Sequence, residues 1–141
     1  GHLVLGTLHT TGAAQTVDRI IDVFPPEQQS QIRMQVSQNI EGIISQTLVR
    51  RAAGRGRVAA FEIMVPTGAL RNLIRDGKTY QLPASIQTGK NIGMLSLEQA
   101  LYELMKKNII TKEDAMNKSM DRDYLLELMT GIQKQPQRRT T

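Results

Sequence analysis

The chain has 141 residues, 40% of them hydrophobic, with no cysteine and a formal net charge of +5. That length holds one ordinary domain or one and a half small ones, and the mixture of signs excludes a body disordered by composition. No stretch approaches the roughly eighteen apolar residues of a membrane span, the first residues do not read as a secretory signal, and the lack of cysteine excludes disulfides and thiolate metal sites while being compatible with the cytosol.

The excess positive charge sits in two places. One is the cluster Arg50, Arg51, Arg55 and Arg57; the other is the tail, with Lys134, Arg138 and Arg139. With three Tyr, two Phe and no Trp, the chain is poor in stacking surface for bases, so nucleic acid is not an expected partner.

In chain order, His2-Leu3-Val4-Leu5-Gly6-Thr7-Leu8-His9 is an apolar run without clean polar alternation. It predicts a strand buried on both faces, of the kind found inside parallel sheets. Such a strand at the start of the chain implies neighbours in sequence outside it; an N-terminal edge strand is the alternative. Thr10-Thr11-Gly12 turns the chain, and Ala14, Val17, Ile21 and Phe24 then recur at helical spacing. Pro25-Pro26 ends that helix and can open the next, in which Ile32, Val36 and Ile40 form the apolar stripe.

Ile43–Val49 and Arg57–Val65 read as strands joined by the short Gly-containing segment 50–56, a hairpin. Arginines at such a turn more often protect an edge than bind a ligand. After Pro66 the pattern is helical. Thr67 is an expected N-cap for a helix through Ile74, a short helix follows over Tyr80–Gln87, and Ser96-Leu97-Glu98-Gln99 has the form of a capping box. Leu97, Leu101, Leu104 and Met105 make one stripe, and Thr111 and Asp121 are expected caps of two more helices. From residue 131 the chain has no apolar face and is expected to be disordered.

A phosphate-binding loop would be the strongest chemical signal. Around Gly89-Lys90 the pattern meets Ala84 where Gly is needed and Asn91 where Ser or Thr is needed; around Gly77-Lys78 it meets Asn72 in place of the opening Gly. Neither fits, and no acidic residue closes an apolar strand. No catalytic triad, carboxylate pair or metal-ligand cluster stands out.

His9 stands at the C-terminal end of the expected strand, where parallel sheets bind ligands. With Thr10 and Thr11 it could donate to phosphate oxygens, or it could be a strand-end histidine satisfied by backbone. His2 lies seven residues away, on the opposite face of an ideal strand. In Ala69-Leu70-Arg71-Asn72-Leu73-Ile74-Arg75-Asp76-Gly77-Lys78, a helix would carry Leu70, Leu73 and Ile74 as a docking stripe and Arg71, Arg75 and Lys78 as a cationic one. An ordinary surface helix is the plainer reading of that pattern.

Five segments of the chain resemble a known family. Gly1–Thr11 resembles the His box of the secretion-type ATPase superfamily, and Ala14–Pro26 and Ile44–Leu48 resemble its following stretches. Ala69–Lys78 closely resembles the Ala-Ile-Arg-Asn-Leu-Ile-Arg-Glu motif of the pilus retraction ATPases, the PilT family, with Leu70 for Ile and Asp76 for Glu; Ala84–Met94 resembles the family's next segment. The resemblance implies an α/β fold: the C-terminal part of a RecA-like P-loop ATPase domain over residues 1–65, then a small all-helical subdomain over 66–130 and a tail over 131–141.

It further implies a cytoplasmic homohexameric motor at the inner face of the inner membrane, peripheral and not inserted. Such a motor hydrolyses ATP with Mg2+ and acts on an inner-membrane platform protein to retract a type IV pilus. His9 and His2 would serve the catalytic site, Thr10 and Thr11 would contact nucleotide, and Ala69–Asp76 with Lys78 would form the retraction motif. Walker A and Walker B are absent from these residues, so this chain alone is expected to be inactive and to hold no nucleotide tightly. A secretion or pilus-assembly ATPase is the near alternative, opposed by the missing zinc cysteines; a non-enzymatic basic module is the distant one.

Overall fold

The computed structural model describes residues 2–131. Its elements are α1 (Ala13–Asp22), α2 (Pro26–Asn39), β1 (Ile43–Arg50), β2 (Arg57–Met64), α3 (Gly68–Arg75), α4 (Leu82–Thr88), α5 (Leu97–Lys106), α6 (Lys112–Lys118) and α7 (Arg122–Thr130), with single 3-10 turns at Thr79–Gln81 and Lys90–Ile92. Most follow from local chemistry. Pro25 stands at the N-cap position of α2 without a side-chain cap, and Pro26 opens the helix, where a missing N–H costs nothing. Thr67, Thr111 and Asp121 each accept a hydrogen bond from the third residue of the helix that follows. In β1 the odd positions from Ile43 to Val49 are buried or half-buried and the even ones exposed, the period of two of a one-sided strand.

The strand expected over His2–His9 is not formed. Those residues are exposed, with Leu3 at 78%, Val4 at 81% and Leu5 at 90%, and the sheet among the described residues is the β1-β2 hairpin. An apolar run becomes a buried strand only where neighbouring strands accept and donate its backbone hydrogen bonds. The hairpin offers Leu3–Leu5 no such ladder.

Two compact units divide the chain: residues up to Thr47 with Phe61–Ser96, and Leu48–Ala60 with the chain from Leu97 onward. The division expected at residues 65–66 falls inside the first unit. The reason is the core. Val17 and Ile21 of α1, Leu70 and Ile74 of α3, and Leu82 and Ile86 of α4 are three i, i+4 pairs that meet with Ile43, Met64 and Met94 in one buried cluster. Each such side chain contributes about 1.5–3 kcal/mol when fully buried, so α3 and α4 cannot separate from α1 without exposing it. Thr79 closes the same unit by donating its hydroxyl to Asp18 at 2.8 Å, and Leu95 forms an antiparallel bridge with Ile63 of β2.

The second unit holds α5, α6 and α7. Glu98, only 4% exposed, accepts hydrogen bonds from Ser119 Oγ (3.2 Å) and from the backbone N–H groups of Met120 (3.0 Å) and Asp121 (3.1 Å). A buried carboxylate is tolerated only when so satisfied, and here it also faces the positive end of α7. Of the tail expected over residues 131–141, residues 132–141 lie outside the described residues; Gly131, in the left-handed region, ends α7.

Two variants separate core from surface. Leu70→Ala is expected to destabilise the chain by about 2–5 kcal/mol, seen as a lower urea midpoint. Leu73→Ala, at a half-buried position, is expected to cost less.

Candidate functional site

The first candidate region is the entry to α1. Gly12 precedes the helix at φ 86, a conformation open to glycine, and it has no side chain with which to cap. The exposed donors of the first turn are met from the strands instead. Gly12 N–H donates to Ser45 Oγ of β1 at 2.9 Å, and Ala13 N–H donates to Glu62 Oε1 of β2 at 2.6 Å. A carboxylate at this end of a helix also gains from the macrodipole.

The predicted phosphate contacts are engaged in the same local network. The Thr16 hydroxyl donates to the Gly12 carbonyl at 2.8 Å, so in the 2.7 Å contact between Thr10 and Thr16 it is Thr10 that donates. Thr11 N–H donates to Gln15 Oε1 at 2.7 Å. His2 and His9 are both exposed. A cleft of about 490 Å³ is lined by residues including Thr7, Leu8, Thr10, Thr16 and Ile43; neither histidine lines it. Sequence reasoning missed Ser45 and Glu62. Glu62 did carry a signal, as a carboxylate inside the apolar strand Val58–Val65.

The second region is the motif helix α3. Leu70 and Ile74 are buried in the first unit's core, so the apolar stripe docks within the unit, as it does on an ordinary surface helix. Arg71 does not join an outward cationic stripe. Its Nη1 donates to the carbonyls of Ser37 (2.9 Å) and Gln38 (2.8 Å), and its Nη2 lies 4.0 Å from Glu41. Ser37 and Gln38 stand in the last turn of α2, where carbonyls lack intrahelical partners and the dipole favours a cation.

Arg75 and Lys78 share one carboxylate, Asp76, at 3.5 and 3.9 Å, exposed contacts that contribute little to stability. The helix ends in a Schellman arrangement: Lys78 N–H donates to the Leu73 carbonyl at 2.8 Å, with Gly77 at φ 71. Ala69 and Asn72 are exposed. The structure thus puts the motif and α1 in one unit, tied by Thr79 and Asp18, while His2 and His9 stand on the exposed N-terminal segment. Among the described residues no group of three or more His, Asp or Glu could hold a metal ion, and no helix is long and apolar enough to cross a membrane.

Comparison with known proteins gives a consistent answer. Residues 1–91 match the family described as type II/IV secretion system protein. The chain is 50% identical over 119 residues to the type IV pilus retraction ATPase PilT of Pseudomonas aeruginosa, covering 84% of this chain and 34% of that protein. It is 44% identical over 125 residues to a twitching motility protein of Neisseria gonorrhoeae, covering 89% and 33%. The crystal structure of the pilus retraction motor PilT with bound ADP superposes with a TM-score of 0.78 at 45% identity, over 90% of this chain and 35% of that one. The chain therefore spans about a third of the length of the curated relatives it matches.

Removing the α3 clamp should be costly at the α2 end. Arg71→Ala is expected to lower stability by about 1.5–3 kcal/mol, the range for hydrogen bonds to a charged group. Arg71→Lys should recover only part of it, because a single ammonium does not reproduce the planar fork. Chemical denaturation of the two variants beside the parent chain measures both.

Proposed function

Since this chain belongs to the type II/IV secretion system protein family, we propose that it is the C-terminal part of a motor that hydrolyses ATP to retract a type IV pilus. The observation that carries this reading is the segment Ala69–Asp76 with Lys78. It has the sequence pattern of the retraction motif, and it forms a helix built into the core with one face turned outward. The assembly is a homohexamer at the cytoplasmic face of the inner membrane, working against a membrane-embedded platform protein.

The residues of this chain do not by themselves fit a nucleoside triphosphate. No phosphate loop is present in the sequence; the Thr10 hydroxyl donates to Thr16, and the Thr11 backbone N–H to Gln15. ATP and Mg2+ are accordingly bound by the complete motor, and no chemical step is assigned here to residues 2–131. The contribution of this chain is response and transmission. His9 and His2 are exposed imidazoles, able to donate to or accept from a group brought to them. A contact of this kind shifts a domain equilibrium only by binding one state better than the other.

Transmission runs through the first unit. Arg71 ties α3 to the end of α2, and Thr79 ties the segment after α3 to α1. A displacement of α1 is therefore passed to α2 and α3 as one body. The outward groups Ala69, Asn72, Arg75, Asp76 and Lys78 would carry it to a neighbour or to the platform.

In the full-length protein, His9→Ala is expected to reduce ATP hydrolysis. Turnover at the parent rate would remove the response role. A retraction assay on Asn72→Ala, which spares the core, tests transmission: hydrolysis should persist while retraction fails.

A further inference from the structure

The turn between β1 and β2 carries charge that the motor reading does not use. Within the second unit, Arg51, Arg55 and Arg57 are exposed on a turn that is well held. Arg51 N–H donates to the Gly56 carbonyl (3.2 Å), Gly54 N–H to the Arg51 carbonyl (3.1 Å), and Arg51 Nε to the Arg57 carbonyl (3.3 Å). Gly54 and Gly56 take φ values of 80 and 79 that other residues rarely adopt.

The structure then adds something distant in sequence. Ala52 N–H donates to the Ile109 carbonyl at 2.9 Å, which brings the segment after α5 to the turn. That segment contributes Lys107 and, at the start of α6, Lys112, both exposed. The acidic groups nearby are largely taken. Asp114 is held by Arg50 at 3.7 Å and by the Thr111 hydroxyl at 2.7 Å, and Glu103 pairs with Lys106 at 4.0 Å. Glu113 is the remaining carboxylate of that stretch.

We propose that Arg51, Arg55 and Arg57, with Lys107 and Lys112, form an electrostatic docking surface for an anionic lipid bilayer. Charge complementarity selects the class of partner. The chain has 18 basic and 13 acidic residues, and a second copy would meet this patch with a surface that is itself net positive. Single-stranded nucleic acid needs aromatic platforms, and Tyr102, the aromatic residue of α5, is already covered by Lys106 at 5.5 Å. Basic side chains displayed on an ordered turn gain from a negative membrane surface without a shaped pocket. The choice of a bilayer rests on the proposed function, which sets the motor against a membrane.

The test uses full-length protein with vesicles of phosphatidylcholine alone and vesicles doped with phosphatidylglycerol, at low and high salt. Binding is expected to the anionic vesicles only and to fall with salt. Each basic residue near such a surface contributes on the order of fivefold, so Arg55→Gln with Arg57→Gln should weaken binding roughly 30-fold, and Lys107→Gln alone roughly fivefold. A control pair in the first unit, Arg19→Gln with Lys90→Gln, should bind like the parent.

Any one of four results overturns the proposal: no binding to anionic vesicles by the parent, parent-like binding by both the Arg55/Arg57 and the Lys107 variants, an equal loss in the control pair, or tighter binding to duplex DNA than to the vesicles. Lipid-free ATP hydrolysis by the turn variants should stay at the parent level. A drop there would place the arginines in the motor's chemistry instead, and so separates failure of docking from failure of the motor reading.

Discussion

Two carbonyls in the last turn of α2, those of Ser37 and Gln38, receive hydrogen bonds from a single guanidinium on α3. A helix that ends against another element leaves acceptors that must be met by something, and here the partner comes from the segment that most resembles a functional motif. Arg71 is held at the other end by its own helix, whose Leu70 and Ile74 lie in the core beside Val17 and Ile21 of α1. The clamp and the core together make α1, α2 and α3 one mechanical piece. A motif read as a surface for docking is thereby also a structural joint, with its polar remainder left facing outward.

The two units solve the problem of helix beginnings in a related way. At α1, where Gly12 cannot cap, Ser45 and Glu62 of the hairpin reach the first N–H groups. At α7, Asp121 caps from within and Glu98 of α5 takes the N–H groups just before it. In both cases a carboxylate distant in sequence is fixed at the positive end of a helix. The Glu62 and Glu98 contacts join residues far apart in the chain.

What was legible in the sequence is what local chemistry decides. Pro25-Pro26, Thr67, Thr111 and Asp121 mark helix starts because their side chains or rings act within one turn, and the hairpin shows because a short Gly-containing segment joins two β-rich runs. The strand expected at His2–His9 failed because strands are made by partners, and apolar content does not reveal whether partners exist. Helical spacing gives Leu70 a place on a docking stripe but does not show what covers that stripe. Arg71 was read as part of a cationic stripe for the same reason: i, i+4, i+7 spacing cannot show that one of three arms bends back to another helix. The basic turn was visible as composition, while its meeting with Lys107 and Lys112 depends on the Ala52–Ile109 contact between residues far apart in the chain.

The central claim is that α2 and α3 move together because Arg71 joins them. Amide hydrogen exchange of Arg71→Lys against the parent chain, under native conditions, tests it most directly. Faster exchange that appears together in the last turn of α2 and in α3, with α5–α7 unchanged, is the predicted result. Exchange that stays at the parent rate at the end of α2 would contradict it, and would leave α3 joined to the unit by its core contacts alone.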